Sequence, residues 1–309
     1  GRDALLRPEG GAGMIRAIVP ATTANLGPGF DSLGCALSLY ARFECEQIAS
    51  GLQIEGCAAE YRNENNLFVR AFRRAEREMN AGAMPIRVRI DTDVPASRGL
   101  GSSATLAVGG VLAANALHGN PLNEEECLAL AVELEGHPDN AAPALLGGMR
   151  ASFMESGKPV VAEVPIAENV GFIAMIPNFE TRTSDMRRAP PESVPMQDAI
   201  FNLSRVAVLL RAMETGEMDL IGRAMQDRLH QPYRAGLIRE CDRARVAALA
   251  SGAAAFCISG SGSTCLAIAE AARAEQIVGK IREALAKSEC EWRVLALKPD
   301  RTGAQVKNA

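Results

Sequence analysis

The chain has 309 residues, and at about 100–200 residues per domain this length predicts two domains. Apolar residues make up 48% and charged residues 23%, as in ordinary globular proteins, so the composition excludes a largely disordered chain. The net charge is −4, which gives no general electrostatic reason to bind nucleic acid or an anionic membrane. We therefore expect a soluble cytoplasmic protein that acts on a small molecule.

The reactive side chains and the chain ends allow further exclusions. The eight cysteines are scattered without a Cys-x-x-Cys pair, and we interpret them as small buried side chains and not as a disulfide framework. None of the three histidines has a Cys or His neighbour at zinc spacing, so a structural metal site is not expected. Residues 1–13 lack an apolar core and are predicted to be a flexible leader before Met14, and residues 301–309 a flexible tail.

The first predicted domain, residues 14–160, mixes helix and strand patterns. Apolar residues at helical spacing between Leu67 and Met79 predict a helix that stops near Asn80–Gly82. Ile86–Asp91 alternates apolar and polar residues, which is the period of a half-buried strand. Asn123 and Glu126 are placed for a capping box, which predicts a helix running to about Leu134.

The second predicted domain, residues 161–300, begins with a strand near 171–177 and continues with two or three helices between Gln197 and Ser251. Strands followed by helices without strict alternation predict that both domains are of the α+β class. The remaining predicted elements are a strand over Ala255–Ser259, a strand over Cys265–Ala269, a helix over Ala272–Ser288 and a strand over Trp292–Leu297.

The sharpest motif is Pro-Ala-Ser-Arg-Gly-Leu-Gly-Ser-Ser-Ala at Pro95–Ala104, between the Ile86–Asp91 strand and a small-residue helix over Thr105–Leu117. A glycine loop before a helix start brings N–H groups together at the positive end of the helix dipole, so it predicts a phosphate site. No Lys precedes Ser102 and Ser103, so the loop is not a Walker A sequence. It also matches the loose Gly-x-Gly-x-x-Ala dinucleotide pattern, but a helix, and not a parallel strand, is predicted next.

Four other clusters of turn and polar residues are each open to a structural interpretation when taken alone. The cluster at Ser259–Thr264 lies between two strands, which favours a close approach of its backbone to a ligand or to another loop. The other three are Pro20–Asp31, Glu135–Asn140 and Asp227–Arg234.

In this order, the five clusters resemble the GHMP superfamily of small-molecule kinases over about Met14–Leu297. The resemblance implies a ribosomal-protein-S5-domain-2-like N-terminal domain, a ferredoxin-like C-terminal domain and an active site in the cleft between them. Pro-Ala-Thr-x-Ala-Asn-Leu-Gly-Pro-Gly-Phe-Asp, Glu-Gly-His-Pro-Asp-Asn, Thr-x-x-x-Arg and His-Gln-Pro-Tyr-Arg are similar to one branch of it. That branch phosphorylates the side-chain hydroxyl of L-homoserine with ATP to give O-phospho-L-homoserine, the step before threonine formation.

For the nucleotide, the resemblance implies that the glycine loop cradles the phosphates of ATP and that a hydroxyl and a carboxylate hold Mg²⁺. The implied metal ligands are Ser103 and Glu135, with Ser102 and Glu133 as competing candidates. Asn66 is implied to contact the base. The implied ATP-binding residues are Asn66, Pro95, Arg98, Gly99, Leu100, Gly101, Ser102, Ser103 and Ala104.

For the amino acid, the resemblance implies that Asp31 binds the ammonium group, while Arg187 and Arg234 suit the carboxylate because a guanidinium can grip it bidentately. His230 is open between a site residue and a structural one. The implied substrate-binding residues are Asn25, Asp31, His137, Asn140, Arg187 and Arg234.

The residues implied to take part in catalysis are Asn140, Asp139 and Arg187. Asp139 stands where some relatives place a proton acceptor, and we interpret it as an organiser of Asn140 and the arginines. The alternatives are another GHMP kinase acting on a sugar or isoprenoid alcohol, a non-catalytic ATP-binding member of the fold, and a dinucleotide-dependent oxidoreductase. The sequence does not determine the oligomeric state, and a homodimer is one assembly compatible with it.

Overall fold

The computed structural model describes residues 13–308, which form two domains with a cleft between them. Apart from Gly13, the predicted leader lies outside the described residues. The first domain contains the strands β1 (Ile15–Ala24), β2 (Leu33–Gln47), β3 (Leu52–Glu55), β4 (Ile86–Thr92), β5 (Met149–Glu155) and β6 (Lys158–Val164). Its helices are α1 (Leu67–Glu78), α2 (Ser102–Leu117), α3 (Glu124–Glu135) and α4 (Pro138–Leu146).

One sheet of seven strands forms the base of the first domain. Its order is β11–β1–β2–β4–β3, where β11 (Gln305–Asn308) comes from the far end of the chain, and β5 joins β2 and β6. The β3–β4 pair is parallel and the other pairs are antiparallel. Besides β1, the long strand β2 pairs with two other strands: Leu33–Cys35 pairs with β5, and Ala41–Gln47 pairs with β4.

The predicted elements of the first domain are confirmed. Every second residue of β4 from Ile86 to Ile90 is buried, as the alternating pattern requires. Helix α1 carries its buried side chains on one face. Asn123 Oδ1 accepts from Glu126 N at 2.9 Å and Asn123 N donates to Glu126 Oε2 at 2.8 Å, so the capping box is complete. The loop that ends at Gly101 is therefore held between a firmly packed strand and the next helix.

Helix α2 lies between the sheet and helices α1 and α3. It is apolar on all sides, which is typical of a fully buried helix. Two adjacent glycines allow its neighbours to approach closely. A Cβ on Gly109 would lie 2.6 Å from the Phe43 ring, and one on Gly110 would lie 2.2 Å from Phe68 O. This close packing fixes where the amino end of α2 meets the cleft.

The second domain is a four-stranded antiparallel sheet with the order β10–β7–β9–β8. Numbered along the chain, this order is 4-1-3-2 with helices inserted as β-α-β-β-α-β, which confirms the expected ferredoxin-like arrangement. The elements are β7 (Val170–Pro177), α5 (Thr183–Arg188), α6 (Met196–Thr215), α7 (Met218–Ala224), α8 (Gln231–Arg234), α9 (Cys241–Ala250), β8 (Ala255–Ile258), β9 (Cys265–Glu270), α10 (Ala274–Leu285) and β10 (Trp292–Leu297).

The second sheet is buried on both faces. Phe172 and Ala174 of β7 belong to the same apolar cluster as the core of the first domain, together with residues of α6 and α7. Ile173 and Met175, which point to the opposite face, pack with α9 and α10. Because one apolar cluster spans both domains, the two walls of the cleft are tied together by a shared core.

Three predictions about the organisation of the chain are wrong. The expected flexible tail contains β11, whose residues pair with Ile15–Ile18 of β1. The expected boundary at residue 160 falls inside β6, which stays paired to β5 as far as Val164. Four helices, and not two or three, lie between Met196 and Ala250. The first error arises because strand pairing between distant segments leaves little local trace. Strand β6, in contrast, forms a local hairpin with β5 across Ser156 and Gly157.

Candidate active site

A cleft of about 800 Å³ opens between the domains. All the substrate-binding residues expected from the sequence line it, and so does Asp139. Six of the nine predicted ATP-binding residues line it as well. The expected residues that line the cleft are Asn25, Asp31, Asn66, Arg98, Gly99, Gly101, Ser102, Ser103, Glu135, His137, Asp139, Asn140, Arg187 and Arg234.

The glycine loop, Pro95–Gly101, enters helix α2 through two residues with left-handed backbone. Gly99 has φ +72° and Gly101 has φ +68°, conformations that favour glycine. Gly101 is the N-cap of α2 and no side chain caps it, so the positive end of the helix faces the cleft beside Ser102 and Ser103. Three other residues of the motif do not line the cleft: Leu100 and Ala104 are core residues, and Pro95 is half-buried.

The C-terminal glycine motif, Ser259–Thr264, packs against the back of the glycine loop. Ser259 Oγ donates to Gly99 O at 2.5 Å, and Thr264 N donates to Arg98 O at 3.1 Å. A Cβ on Gly99 would lie 2.2 Å from Ser259 O, so no larger residue fits there without movement. This motif therefore approaches another loop closely, which is one of the two functions predicted for it.

A hydroxyl and a carboxylate meet at the start of α2. Ser103 Oγ donates to Glu135 Oε2 at 2.9 Å. Burial raises the pKa of Glu135, and the hydrogen bond from Ser103 opposes that rise only in part. Glu133, the competing carboxylate, is 54% exposed and binds Arg74 instead, with Arg74 Nη2 at 2.9 Å from Glu133 Oε2. Of the two carboxylates, only Glu135 lies at the cleft.

His137, Asp139 and Asn140 form a connected group at the start of α4. Asp139 is 2% exposed, and its Oδ1 is hydrogen-bonded to His137 Nδ1 and lies 3.4 Å from Asn140 Nδ2. Burial alone would lower the pKa of His137, but the hydrogen bond and the charge of Asp139 outweigh it and raise that pKa. On its other side, Asn140 Oδ1 accepts from the hydroxyl of Thr22 at 2.8 Å. The sequence assigns no function to Thr22.

Arg234 is 2% exposed and is held by neutral groups. Its Nε donates to Met186 O at 2.8 Å, and its Nη1 donates to His230 Nδ1 at 3.2 Å. Since His230 accepts at Nδ1, its proton is on Nε2, which donates to Gly27 O at 2.8 Å. Burial lowers the pKa of His230 to about 4, so this ring is neutral at physiological pH. His230 therefore holds Arg234 without neutralising its charge.

Asp31 and Arg187 face each other across the mouth of the cleft. Asp31 Oδ1 and Arg187 Nη2 are 3.9 Å apart, and the two side chains are 44% and 43% exposed, so the pair is loose. Asn25 fixes the backbone of Asp31, because its Oδ1 accepts from Asp31 N at 2.9 Å while its Nδ2 donates to Gly260 O at 2.7 Å. We call the group Asp31, His137, Asp139, Arg187 and Arg234 the charged end of the cleft.

Part of the cleft wall is apolar and includes Ile90, Val94 and Leu106. Asn66 lies there as the N-cap of α1: its Oδ1 accepts from Phe68 N at 3.0 Å, and its Nδ2 donates to Tyr61 O at 2.9 Å. These bonds hold the cleft wall in place. A contact between Asn66 and a nucleotide base stays a prediction.

The arrangement of the cleft agrees with comparisons to known proteins. Residues 66–148 match the family described as GHMP kinases N terminal domain, and residues 209–287 match GHMP kinases C terminal. A homoserine kinase from Clostridium botulinum is 39% identical over 295 residues, which cover 96% of this chain and 99% of the relative. The chain belongs to the homoserine kinase family.

Solved structures of related kinases have the same two-domain fold as this chain. The crystal structure of homoserine kinase from Cytophaga hutchinsonii aligns with a TM-score of 0.88 at 27% identity, covering 99% of this chain and 100% of that one. The L. major mevalonate kinase in complex with R-mevalonate aligns with a TM-score of 0.69 at 17% identity, covering 91% and 95% of the two chains. The second likeness shows only the shared fold.

Family membership confirms the expected two-domain GHMP fold and shows that the protein is a kinase that uses ATP and a small-molecule substrate. The dinucleotide interpretation of the glycine loop is wrong, because α2 leads into α3 and not into a parallel strand. All eight cysteines are free thiols, and all but Cys57 are buried, as predicted. Within residues 13–308 no helix is both long and apolar enough to cross a membrane. In the same part of the chain, no three His, Cys, Asp or Glu side chains cluster as a metal site.

Proposed function

We propose that this kinase transfers the γ-phosphoryl group of ATP to the side-chain hydroxyl of L-homoserine, giving ADP and O-phospho-L-homoserine. One observation carries the choice of substrate: the charged end presents a carboxylate, Asp31, and two guanidinium groups, Arg187 and Arg234, within one cleft. A zwitterionic amino acid has an ammonium group for the carboxylate and a carboxylate for the guanidinium groups. A sugar or an isoprenoid alcohol lacks at least one of these two charged groups. The homoserine kinases similar to this chain support the same substrate.

The two arginines differ in ways that suit one carboxylate. Arg234 is buried and bound by neutral acceptors, so its positive charge stays available to a ligand. In a partly dry cleft such a charge binds a carboxylate more strongly than an exposed one does. Arg187 is half-exposed and only loosely paired with Asp31. An incoming amino acid would replace that pair, its ammonium group binding Asp31 and its carboxylate binding Arg187 and Arg234.

The triphosphate would lie against the glycine loop and the open amino end of α2. Arg98 lines the cleft there and adds a positive charge. The donor set of Ser103 and Glu135 fits Mg²⁺, which prefers hydroxyl and carboxylate oxygens, and Glu135 forms no ion pair within the described residues. When bound, Mg²⁺ would supply charge neutralisation for the phosphates.

In the transfer, the substrate hydroxyl oxygen forms a bond to the γ-phosphorus as the bond from that phosphorus to the β–γ bridging oxygen breaks. The hydroxyl proton passes to an oxygen of the transferred phosphoryl group as the new bond forms, and from there to solvent. Positioning and charge stabilisation carry most of such a reaction. Asn140 and Arg187 both line the cleft, and in this proposal they would contact the transferred group. Asp139 is already bound to His137, which supports its assignment as the organiser of Asn140 and not as the base.

Two further expectations, on the cellular location and on the oligomeric state, belong with this proposal. Free thiols at all eight cysteines support a cytoplasmic location, where reducing conditions maintain them. A homodimer stays a prediction, which the molar mass of the purified protein in solution would check.

A coupled ADP-release assay on three alcohols tests the substrate. L-Homoserine has both charged groups, homoserinol lacks the carboxylate, and mevalonate lacks the ammonium group. We expect kcat/KM for L-homoserine to exceed both others by about 100-fold or more, because each analogue leaves one charged partner unmatched. Equal kcat/KM values for homoserinol and homoserine would refute a carboxylate clamp, and preference for mevalonate would refute the substrate assignment.

A further inference from the structure

Thr22, a fully buried residue near the end of β1, contacts both sides of the reaction centre. Its hydroxyl donates to Asn140 Oδ1 at 2.8 Å, and its backbone N–H donates to Leu100 O at 3.1 Å. The same Oγ lies against Gly101, where a Cβ would stand only 1.9 Å away. One side chain therefore connects the start of α2, where the phosphates of ATP are expected, with Asn140, where the alcohol that accepts the phosphoryl group is expected.

The contacts of Asn140 define the orientation of its amide. Thr22 donates to Oδ1, while Nδ2 faces Asp139 Oδ1 at 3.4 Å. A flipped amide would place its carbonyl oxygen against the Asp139 carboxylate, which is repulsive. With Oδ1 taken by Thr22 and one N–H directed at Asp139, the second N–H of Nδ2 is left for the cleft, since it meets no acceptor in residues 13–308.

We propose that Thr22 is a positioning residue: it holds the Asn140 amide with an N–H toward the cleft, at a fixed spacing from the glycine loop. The inference rests on the proposed phosphoryl transfer, in which an N–H donor stabilises the oxygens of the moving phosphoryl group. A rotated or flipped amide would present a carbonyl oxygen to the same negative charge. Thr22 thus acts on the reaction through Asn140.

Steady-state kinetics of Thr22→Val in two backgrounds tests this inference. Valine keeps the shape and loses the hydroxyl, so we expect kcat to fall about 5- to 10-fold, as expected for one lost hydrogen bond. The KM for ATP should change less than about 2-fold. In an Asn140→Ala background, Thr22→Val should lower kcat by less than about 2-fold, because its partner is already gone. Thr22→Ser, which keeps the hydroxyl, should restore most of the native kcat.

Thr23→Val is the matched control. Thr23 is the next residue of β1, is equally buried, and its hydroxyl is hydrogen-bonded to Ser259 Oγ at 2.9 Å, with no bond to Asn140. Its effect on kcat should be the same in both backgrounds. If Thr22→Val is too unstable to purify, the contrast between Thr22→Ala and Thr22→Ser supplies the same comparison. An equal loss for Thr22→Val with and without Asn140 would overturn the inference.

Nuclear magnetic resonance of the side-chain amides separates this inference from the proposed function. The Asn140 NH₂ signals are those that disappear in Asn140→Ala, and we expect them to shift in Thr22→Val and not in Thr23→Val. Unchanged signals in Thr22→Val would overturn the inference even where homoserine is the substrate. A failure of the alcohol assay would refute the proposed function. The amide spectrum would still test whether Thr22 orients the Asn140 side chain.

Discussion

The two ends of the cleft are assembled from the chain in different ways. What we call the phosphate end is the proposed phosphate site: residues 98–103 of the glycine loop and the start of α2, which contribute mostly backbone groups, with Glu135 beside them. The charged end draws its side chains from segments as far apart as Asp31 and Arg234, and from both domains. The phosphate end suits the phosphates of ATP, which are common to all kinases of the fold. The charged end can change by substitution of one side chain at a time. Substitutions at the two ends should therefore alter different kinetic constants.

The largest expected effect is at the phosphate end. Glu135→Gln should lower kcat by at least about 100-fold, because it removes the carboxylate proposed to hold Mg²⁺, and Mg²⁺ would neutralise the negative charge of the transition state. The matched control is Glu133→Gln on the same helix, which removes a carboxylate bound to Arg74 outside the cleft and should change kcat less than about 2-fold. Steady-state assays with varied Mg²⁺ measure both. The opposite ranking would show that Glu133 is the metal ligand.

A smaller and more selective effect is expected at the charged end. Arg234→Ala should raise the KM for homoserine by at least about 30-fold, since it leaves the substrate carboxylate without its buried partner. The KM for ATP should change little. Arg234→Lys should rescue little, because lysine lacks the bidentate geometry. Arg187→Ala should cost less than Arg234→Ala, because Arg187 is half-exposed. Comparable rises in both KM values would contradict the separation of the two ends.

The smallest expected effect concerns pH and the pairing of His137 with Asp139 at the charged end. The pKa of His137 is raised in the folded protein, so its pairing with Asp139 stabilises the fold below its ordinary pKa of about 6.5. That contribution is lost as the pH rises through the folded value. His137→Gln should therefore lower the Tm by roughly 2–4 °C at pH 6 and by less at pH 9. Thermal unfolding followed by circular dichroism measures this, and Asp139→Asn should show the same trend. An equal loss of Tm at both pH values would contradict it.

The same contrast explains what could be predicted from the sequence. The glycine loop, the capped helix α3 and strand β4 depend on neighbouring residues, so spacing and residue type indicate them directly. The choice between Glu133 and Glu135 depends on which way α3 faces, and that is set by its packing against α1 and α2. For the charged end, resemblance to a family supplied the residues. Spacing alone could not have brought Asp31 and Arg187 together.

The functions of Thr22 and His230 required the structure for a related reason. Both act through a single hydrogen bond to another site residue, and the partner of Thr22 is 118 positions away. A buried hydroxyl or a neutral imidazole has the same local sequence whether it orients a side chain or merely fills space. Strand β11 was missed similarly, since its four residues pair only with the start of β1.

The position of β11 has a consequence for how the protein is made and divided. The edge of the N-terminal sheet is completed by residues 305–308, which a ribosome produces only after the whole ferredoxin-like domain. Until then β1 has an unpaired edge, open to strands of other chains. A fragment cut between the domains would keep that open edge, so the first domain does not correspond to one continuous gene segment. Circular permutation that joins residues 305–308 directly to β1 would produce a self-contained first domain.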